Sequence, residues 1–268
     1  MCMFNETVDD VSSTNLFACL DTTRTRQLLI YSNNVDNKIQ SNAMVLPVPH
    51  PDSVVFHDMT TVSNFFLDLQ KCFYKLPSRG YDSLGWMGAN VSKSEKLEVY
   101  DVGSYFVSIV PSVNDFSRLQ SETFNFQLSI NLKKILVNYD SVFGFLVCQL
   151  KIGNIEYKPL AYSHRLFNSN ELFYPTFHYH FHTSFPSHNH SETEKITKND
   201  MVNDWDHSIY TPNMVSVNMP VDHIDKSIMN PYFGNINIGF DFQSQYNDFY
   251  RVTITGEHPN KDVIIKCN

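Results

Sequence analysis

Residues 143–163 read FGFLVCQLKIGNIEYKPLAYS, and this stretch decides the fold class. Two apolar runs, FGFLVCQLKI and IEYKPLAY, flank Gly153-Asn154, a dipeptide that tolerates positive φ and suits a two-residue loop. The spacing predicts a β-hairpin. Upstream, TNLFAC (14–19), RQLLIY (26–31) and NAMVLPV (42–48) are short apolar runs separated by polar, Asn- and Asp-rich stretches. They predict three consecutive strands. Pro47 and Pro49 have no N–H to donate, so the third strand is expected to end there or to lie at a sheet edge.

Between these strands and the quoted stretch lies the best helix. Asp58, Thr60 and Thr61 offer an N-cap, and Val62, Phe65, Phe66, Leu69, Cys72, Phe73 and Leu76 recur on one helical face before Pro77 stops the pattern. Residues 60–76 are therefore expected to form the longest or second-longest helix, with Phe65, Phe66, Leu69 and Phe73 against a sheet. Residues 78–95 hold three of the nine glycines and little periodicity, and read as a loop. Residues 97–110 alternate as one or two strands broken near Gly103, and Ser112 with Asp115 forms a capping-box pattern for a short helix through Leu119. In 124–140, Phe124, Phe126, Leu128 and Ile130 alternate, whereas Leu132, Ile135 and Leu136 suit a helical turn; both readings stand.

Downstream, LFYPTFHYHFH (172–182) predicts a strand, 183–203 a polar segment, and WDHSIYT (205–211) a short strand. Further strands are expected near 214–218, 236–242, 249–255 and 262–267, the last two as a hairpin across GEHPNK. No repeat of fixed period is present. The expected fold is mainly β (α+β): antiparallel sheets with one principal helix packed on a sheet face, in a single domain over 1–268 with 213–268 as a candidate C-terminal β extension.

Composition narrows the partners. The chain has 268 residues, 42% hydrophobic and 18% charged, which excludes disorder for the chain as a whole. With 21 Phe and 14 Tyr it suits bulky side chains packed between layers. The formal charge of −8 and the lack of a basic stripe argue against nucleic acid as the main partner. Residues 1–10 lack the basic and apolar pattern of a signal peptide, and the longest apolar runs, such as Phe143–Cys148, are too short to cross a bilayer. Five cysteines without CxxC spacing then read as reduced thiols in a cytoplasm, with a protein partner and no membrane. Abundant Asn, Ile, Tyr and Phe beside little Gly or Ala look like an AT-rich coding bias, of the kind found in giant viruses and some protists.

Five segments occur together in a suggestive order: Met1-Cys2 with Phe4, Thr14–Ala18 (TNLFA), Ala43–Pro49 (AMVLPVP), Phe173–His180 (FYPTFHYH) and Trp205–Tyr210 (WDHSIY). They resemble a bacterial family of uncharacterised proteins with an MC-x-F start, an A-M-x-L-P-x-P strand, a P-T-x-H-x-H strand and a later DH-[TS]-[LI]-Y. The resemblance covers residues 1–211 and implies architecture and candidate positions, with no activity attached.

Two constellations could carry chemistry. On a strand at 172–182, His178, His180 and His182 share one face, opposite Phe177, Tyr179 and Phe181. His178 and His180 could ligate one zinc or iron ion, with His207 as third ligand if 205–211 returns beside them and an open position left for water or substrate. His188 and His190, among Ser and Asn, read as solvent-exposed. The plainer reading is a polar sheet face whose imidazoles hydrogen-bond to their neighbours. The second constellation is Cys2: removal of the initiator Met would leave an amine beside a thiol, the logic of an N-terminal cysteine amidohydrolase, with Asn42 or Arg24 and Arg26 as substrate contacts. The plainer reading is a packed thiol. His57-Asp58 reads as a helix cap. No Walker A, GxGxxG, GxSxG or HExxH pattern is present.

The leading reading is a non-catalytic, β-rich binding or scaffold protein of an intracellular, viral assembly, with 78–95 and 183–203 as contact surfaces. The alternatives are a metal-dependent (zinc or iron) enzyme on His178, His180 and His207, and a Cys2 amidohydrolase.

Overall fold

Both faces of the run RQLLIY are covered, which is why it has no polar side. In the computed structural model it lies in a sheet that packs one face on a second sheet. The structure describes residues 3–73 apart from 7, 40 and 41, residues 96–179 apart from 120–122, 125, 126 and 178, then 205–206, 213–217, 240, 249–253, 258–259 and 261–267. In chain order its strands are β1 (Met3–Phe4), β2 (Asp10–Leu20), β3 (Arg26–Asn37), β4 (Ala43–Pro49), β5 (Val55–His57), β6 (Val99–Val102), β7 (Tyr105–Val110), β8 (Phe143–Gln149), β9 (Gly153–Glu156), β10 (Leu160–Arg165), β11 (Glu171–Tyr174), β12 (Trp205–Asp206), β13 (Asn213–Val217), β14 (Phe249–Thr253), β15 (His258–Pro259) and β16 (Val263–Lys266). The α-helices are α1 (Phe65–Phe73) and α2 (Ile130–Leu136). The fold is mainly β, with antiparallel sheets and few short helices.

One sheet runs β1-β4-β8-β7-β6, antiparallel throughout. The other runs β14-β13-β2-β3-β10-β5, with β9 also on β3; among its neighbours only β13 and β2 are parallel. Alternation then sorts the side chains. Met44, Leu46 and Val48 of β4, Leu146 and Cys148 of β8, Leu29, Tyr31 and Val35 of β3, and Leu160 and Tyr162 of β10 fill the space between the sheets. On the outer face of the first sheet, Val45, Phe145 and Val147 carry Leu132, Ile135 and Leu136 of α2, whose start is capped by Ser129 Oγ accepting from Leu132 N. So 130–136 follows the helical reading. On the outer face of the second sheet, Phe65 of α1 sets its ring edge-on to Phe17 of β2, with centroids 5.1 Å apart.

The principal helix lies where its periodicity predicts. Phe65, Phe66 and Leu69 are buried, while the side chains of Cys72 and Phe73 and all of 74–95 lie outside the described residues. Its start differs: Thr60–Val62 forms a separate 3-10 turn, fastened by Asp58 accepting from Thr60 N at 2.8 Å. The expected short helix after Ser112 is likewise a 3-10 turn, Val113–Arg118, and Ser112 Oγ donates to Asp115 at 2.7 Å.

β4 ends at Pro49, the first of the two expected outcomes, while Pro47 lies within it, in a strand that has neighbours on both sides. His50 N donates to Val142 O and Leu150 N to Asn42 O, so even-numbered residues of β4 hydrogen-bond to β8, and Pro47 and Pro49 turn their nitrogens the other way. On that side β1 reaches only Met44 and Val45. An interior strand thus tolerates two prolines because its second neighbour stops short of them.

The hairpin expected at 143–163 does not form, although its strands do. β8 pairs with β4 and β7 in one sheet, whereas β9 and β10 both pair with β3 in the other. The chain changes sheets over 150–152, and Gly153, at φ +111°, takes a backbone conformation that L side chains rarely adopt. Nor do the last two strands pair with each other: β14 joins β13, and β16 joins β11. β11 ends at Tyr174, short of the expected 172–182, and Pro175 follows it.

Gly144 is fixed by contact. A Cβ there would meet Pro51 Cβ at 2.6 Å and Val110 O at 2.7 Å, a ring and a backbone atom with little room to move. Gly144→Ala is expected to cost about 2 kcal/mol by overpacking, read as a lower urea midpoint with unchanged m-value.

Candidate functional site

The outer face of the second sheet holds a cluster of reactive side-chain types. Ser163 on β10, His57 on β5 and Arg26 on β3 point the same way, since Leu160, Tyr162 and Leu29 at the opposite parity fill the core. His57 Nε2 lies 2.9 Å from Ser163 Oγ, and Arg26 Nη2 donates to that Oγ at 3.1 Å. With Arg26 donating to Oγ, the serine proton can point at His57 Nε2, the direction in which a serine nucleophile is activated. Access decides against that use. Ser163 is 1% exposed and His57 5%, and Phe240 sets its ring edge-on to the imidazole at 5.7 Å. Arg26 is also committed to Ser53 O at 2.7 Å and Ser163 O at 3.2 Å. The cluster fastens three strands and the turn at Ser53. Of the His57-Asp58 pair expected to cap the principal helix, Asp58 instead accepts from Thr60 N in the separate 3-10 turn before it, and His57 takes no part. Ser163 escaped the sequence reading, though its parity opposite Tyr162 was the signal, and Arg26, named there as a substrate contact of Cys2, is instead spent on Ser163 and Ser53.

Other ionisable groups are buried as well. His164, on the core side of β10, gives Nδ1 to its neighbour's carbonyl, Arg165 O, at 2.7 Å. Burial, with the charges of Arg26 and His50 beyond that bond, holds its pKa down to about 4. Asp262, half-buried by surface exposure, accepts from Tyr139 Oη at 2.7 Å and Phe177 N at 2.9 Å, bonds that favour the carboxylate and oppose the upward push of its partial removal from water. Cys19, Cys148 and Cys267 are buried, and burial, then Asp21 and Cys267, pushes the Cys19 thiol up, away from thiolate chemistry.

Of the candidates named from sequence, Cys2, His178, His180, His182, His188, His190 and His207 all lie outside the described residues. Their neighbours are placed. Phe177 and Tyr179 pack with the outer-face cluster under α2, and Tyr179 O accepts from Phe4 N at 2.8 Å. The strand return expected to bring 205–211 beside 172–182 is not the pairing described: β12 pairs with β15, and β11 with β16. Among the described residues no cluster of three His, Cys, Asp or Glu is placed to hold a metal. The proposed contacts of Cys2 have other duties. Asn42, fully buried, accepts from Glu6 N at 3.0 Å and donates to Asn37 Oδ1 at 3.2 Å, and Arg24 donates to Cys267 O at 3.3 Å.

No family model matches the chain. Among solved structures it is similar to baculovirus P35, at 14% identity and a TM-score of 0.45, over 96% of this chain and 97% of that one. A mutated baculovirus P35 after caspase cleavage is similar at 14% identity and a TM-score of 0.42, over 96% and 99%. Likeness of that degree leaves the function of this chain to its own residues. Among the described residues, no helix is long and apolar enough to cross a membrane.

Proposed function

We propose that this chain is a non-catalytic binding or scaffold protein of an intracellular, viral assembly, which uses the polar segments 78–95 and 183–203 as contact surfaces for a protein partner. One observation carries the reading. The reactive side chains in the described sheets, Ser163, His57 and Cys19, are buried, and Ser163 and His57 are spent on structure, which is what a frame needs and an active site does not. In chain order the first segment falls between α1 and β6, and the second follows Tyr179 and precedes β12. Within 78–95, Trp86 between Gly85 and Met87 is the side-chain type that most often anchors an interface. The Asn-, Ile-, Tyr- and Phe-rich composition supports a viral source.

Capture from cytosolic extract, followed by titration of the recovered partner, tests it. A stoichiometric partner should lose about tenfold or more in affinity on Trp86→Ala, with the melting temperature unchanged. Retained affinity in both Trp86→Ala and a chain with 183–203 replaced by a Gly/Ser linker would refute the contact surfaces. A melting temperature lowered by a chelator and restored by zinc would instead favour the histidine metal reading.

A further inference from the structure

β10 ends beside a buried histidine. Leu160 and Tyr162 face the core, and His164 follows at the same parity, 1% exposed. β5 reaches β10 only as far as Ser163, so at His164 and Arg165 the ladder continues with β3 alone. There His164 stands opposite Gln27, whose amide holds the backbone of Phe173. Just beyond, Arg165 N donates to Ser53 Oγ at 2.9 Å and Leu166 N to Thr25 O at 3.1 Å. The ring therefore sits where β3, β10 and β11 meet, at a strand end rather than in the middle of a ladder.

Hydrogen bonding fixes the charge state of that ring. A carbonyl only accepts, so the 2.7 Å contact between Nδ1 and Arg165 O places the proton on Nδ1. Nε2 then carries the lone pair, and it is buried with no hydrogen-bond partner among the described residues. A proton there would leave a second N–H and a positive charge with no acceptor in reach. The charged and titratable groups facing the ring are Arg26 of β3 and His50, just past β4, both of which repel a cation. The neutral Tyr162 lies beside it on β10, with ring centroids 6.0 Å apart. Asp52, in the turn after His50, is engaged by the exposed side chain of Arg165 at 2.6 Å.

We propose that His164 is an acid-operated catch: a proton taken up at Nε2 expels the ring from the core side of β10 and releases residues 165–173 from β3. The neutral ring fits the closed strand end; the imidazolium is better solvated in the open one. Burial, with Arg26 and His50, lowers the value in the closed form to about 4, so the catch holds fully above the free value of 6.5 and weakens as pH falls toward 4. A closed form that takes up no proton above pH 5 makes the opening equilibrium rise about 30-fold between pH 7.5 and pH 5. Release parts Gln27 from the backbone of Phe173, so the joint between the large sheet and β11 is what acid loosens.

Hydrogen exchange of the Arg165, Leu166 and Phe173 amides in the full chain, corrected for intrinsic rates from pH 5 to 7.5, tests this. The proposal expects these amides to open below the cost of global unfolding, set by Leu46 and Val147, and with the stated rise in acid. His164→Leu, which puts a neutral side chain in the same place, should flatten the pH dependence. Should that variant fail to fold, the imidazole nitrogen chemical shifts of the unaltered protein decide: Nδ1 protonated and Nε2 bare down to pH 5. An imidazole that titrates near pH 6.5 or carries its proton on Nε2 would overturn the proposal. So would amides of 165–173 that exchange only with the core, or a pH dependence retained in His164→Leu.

Discussion

Phe65→Ala should destabilise the protein by about 4 kcal/mol, measured as the loss of unfolding free energy in urea. Phe65 is 1% exposed, and its ring meets Phe17 at 5.1 Å and Phe66 at 5.2 Å, both edge-on. Truncation removes both ring contacts and leaves a cavity over β2, a strand that cannot follow it because its other face packs Leu16 and Ala18 into the core. Phe66→Ala, at 7% exposure, should cost about 3 kcal/mol. Leu67, between Phe66 and Asp68 and 56% exposed, provides the contrast: Leu67→Ala should stay within about 0.5 kcal/mol. Equal effects at Phe65 and Leu67 would show that α1 does not bury the face described.

The helix and the strands were legible because each is written in a local period: 3.6 for Phe65, Phe66 and Leu69, and 2 for Leu146 against Val147. Pairing was not. A period says which face a residue takes and nothing about which strand lies beside it, so Gly153-Asn154 looked like a hairpin turn when it begins a strand of the other sheet. The same limit hid the partners of β11, β12 and β16, whose pairings join residues far apart in sequence. Of the candidate site little was legible. The histidines drew attention because they are dense and Cys2 because it follows the initiator Met, whereas the working polar groups are single residues in apolar strands. Asn residues taken as coding bias include Asn33, Asn37 and Asn42, all essentially buried. Asn33, at core parity between Tyr31 and Val35, donates to Tyr31 Oη at 2.9 Å and accepts from Tyr105 Oη at 3.1 Å, joining the two sheets. A polar residue at core parity cannot be left unsatisfied, and that was the readable signal.

Gln27 is the sharpest instance of that signal and has the second large expected effect. It stands at core parity in β3, two residues before Leu29, and is fully buried. Its amide imitates a peptide group: Nε2 donates to Phe173 O at 2.6 Å, and Oε1 accepts from Phe173 N at 2.8 Å. In the middle of β11, the backbone of Phe173 thus spends both its polar groups on a side chain from the large sheet. Gln27→Ala removes two hydrogen bonds and strands a buried N–H and a buried C=O, at about 1–3 kcal/mol per orphaned group. The expected loss is about 3–4 kcal/mol, less whatever water entering the gap restores. Gln27→Glu keeps an acceptor for Phe173 N but sets a carboxylate against Phe173 O, so at neutral pH it should lose at least as much and recover part of it in acid. Urea unfolding of both variants at pH 5 and pH 7.5 separates the terms. A Gln27→Ala cost below about 1 kcal/mol would mean that β11 is held by its apolar side chains, Leu172 and Tyr174, and that the amide bridge contributes little.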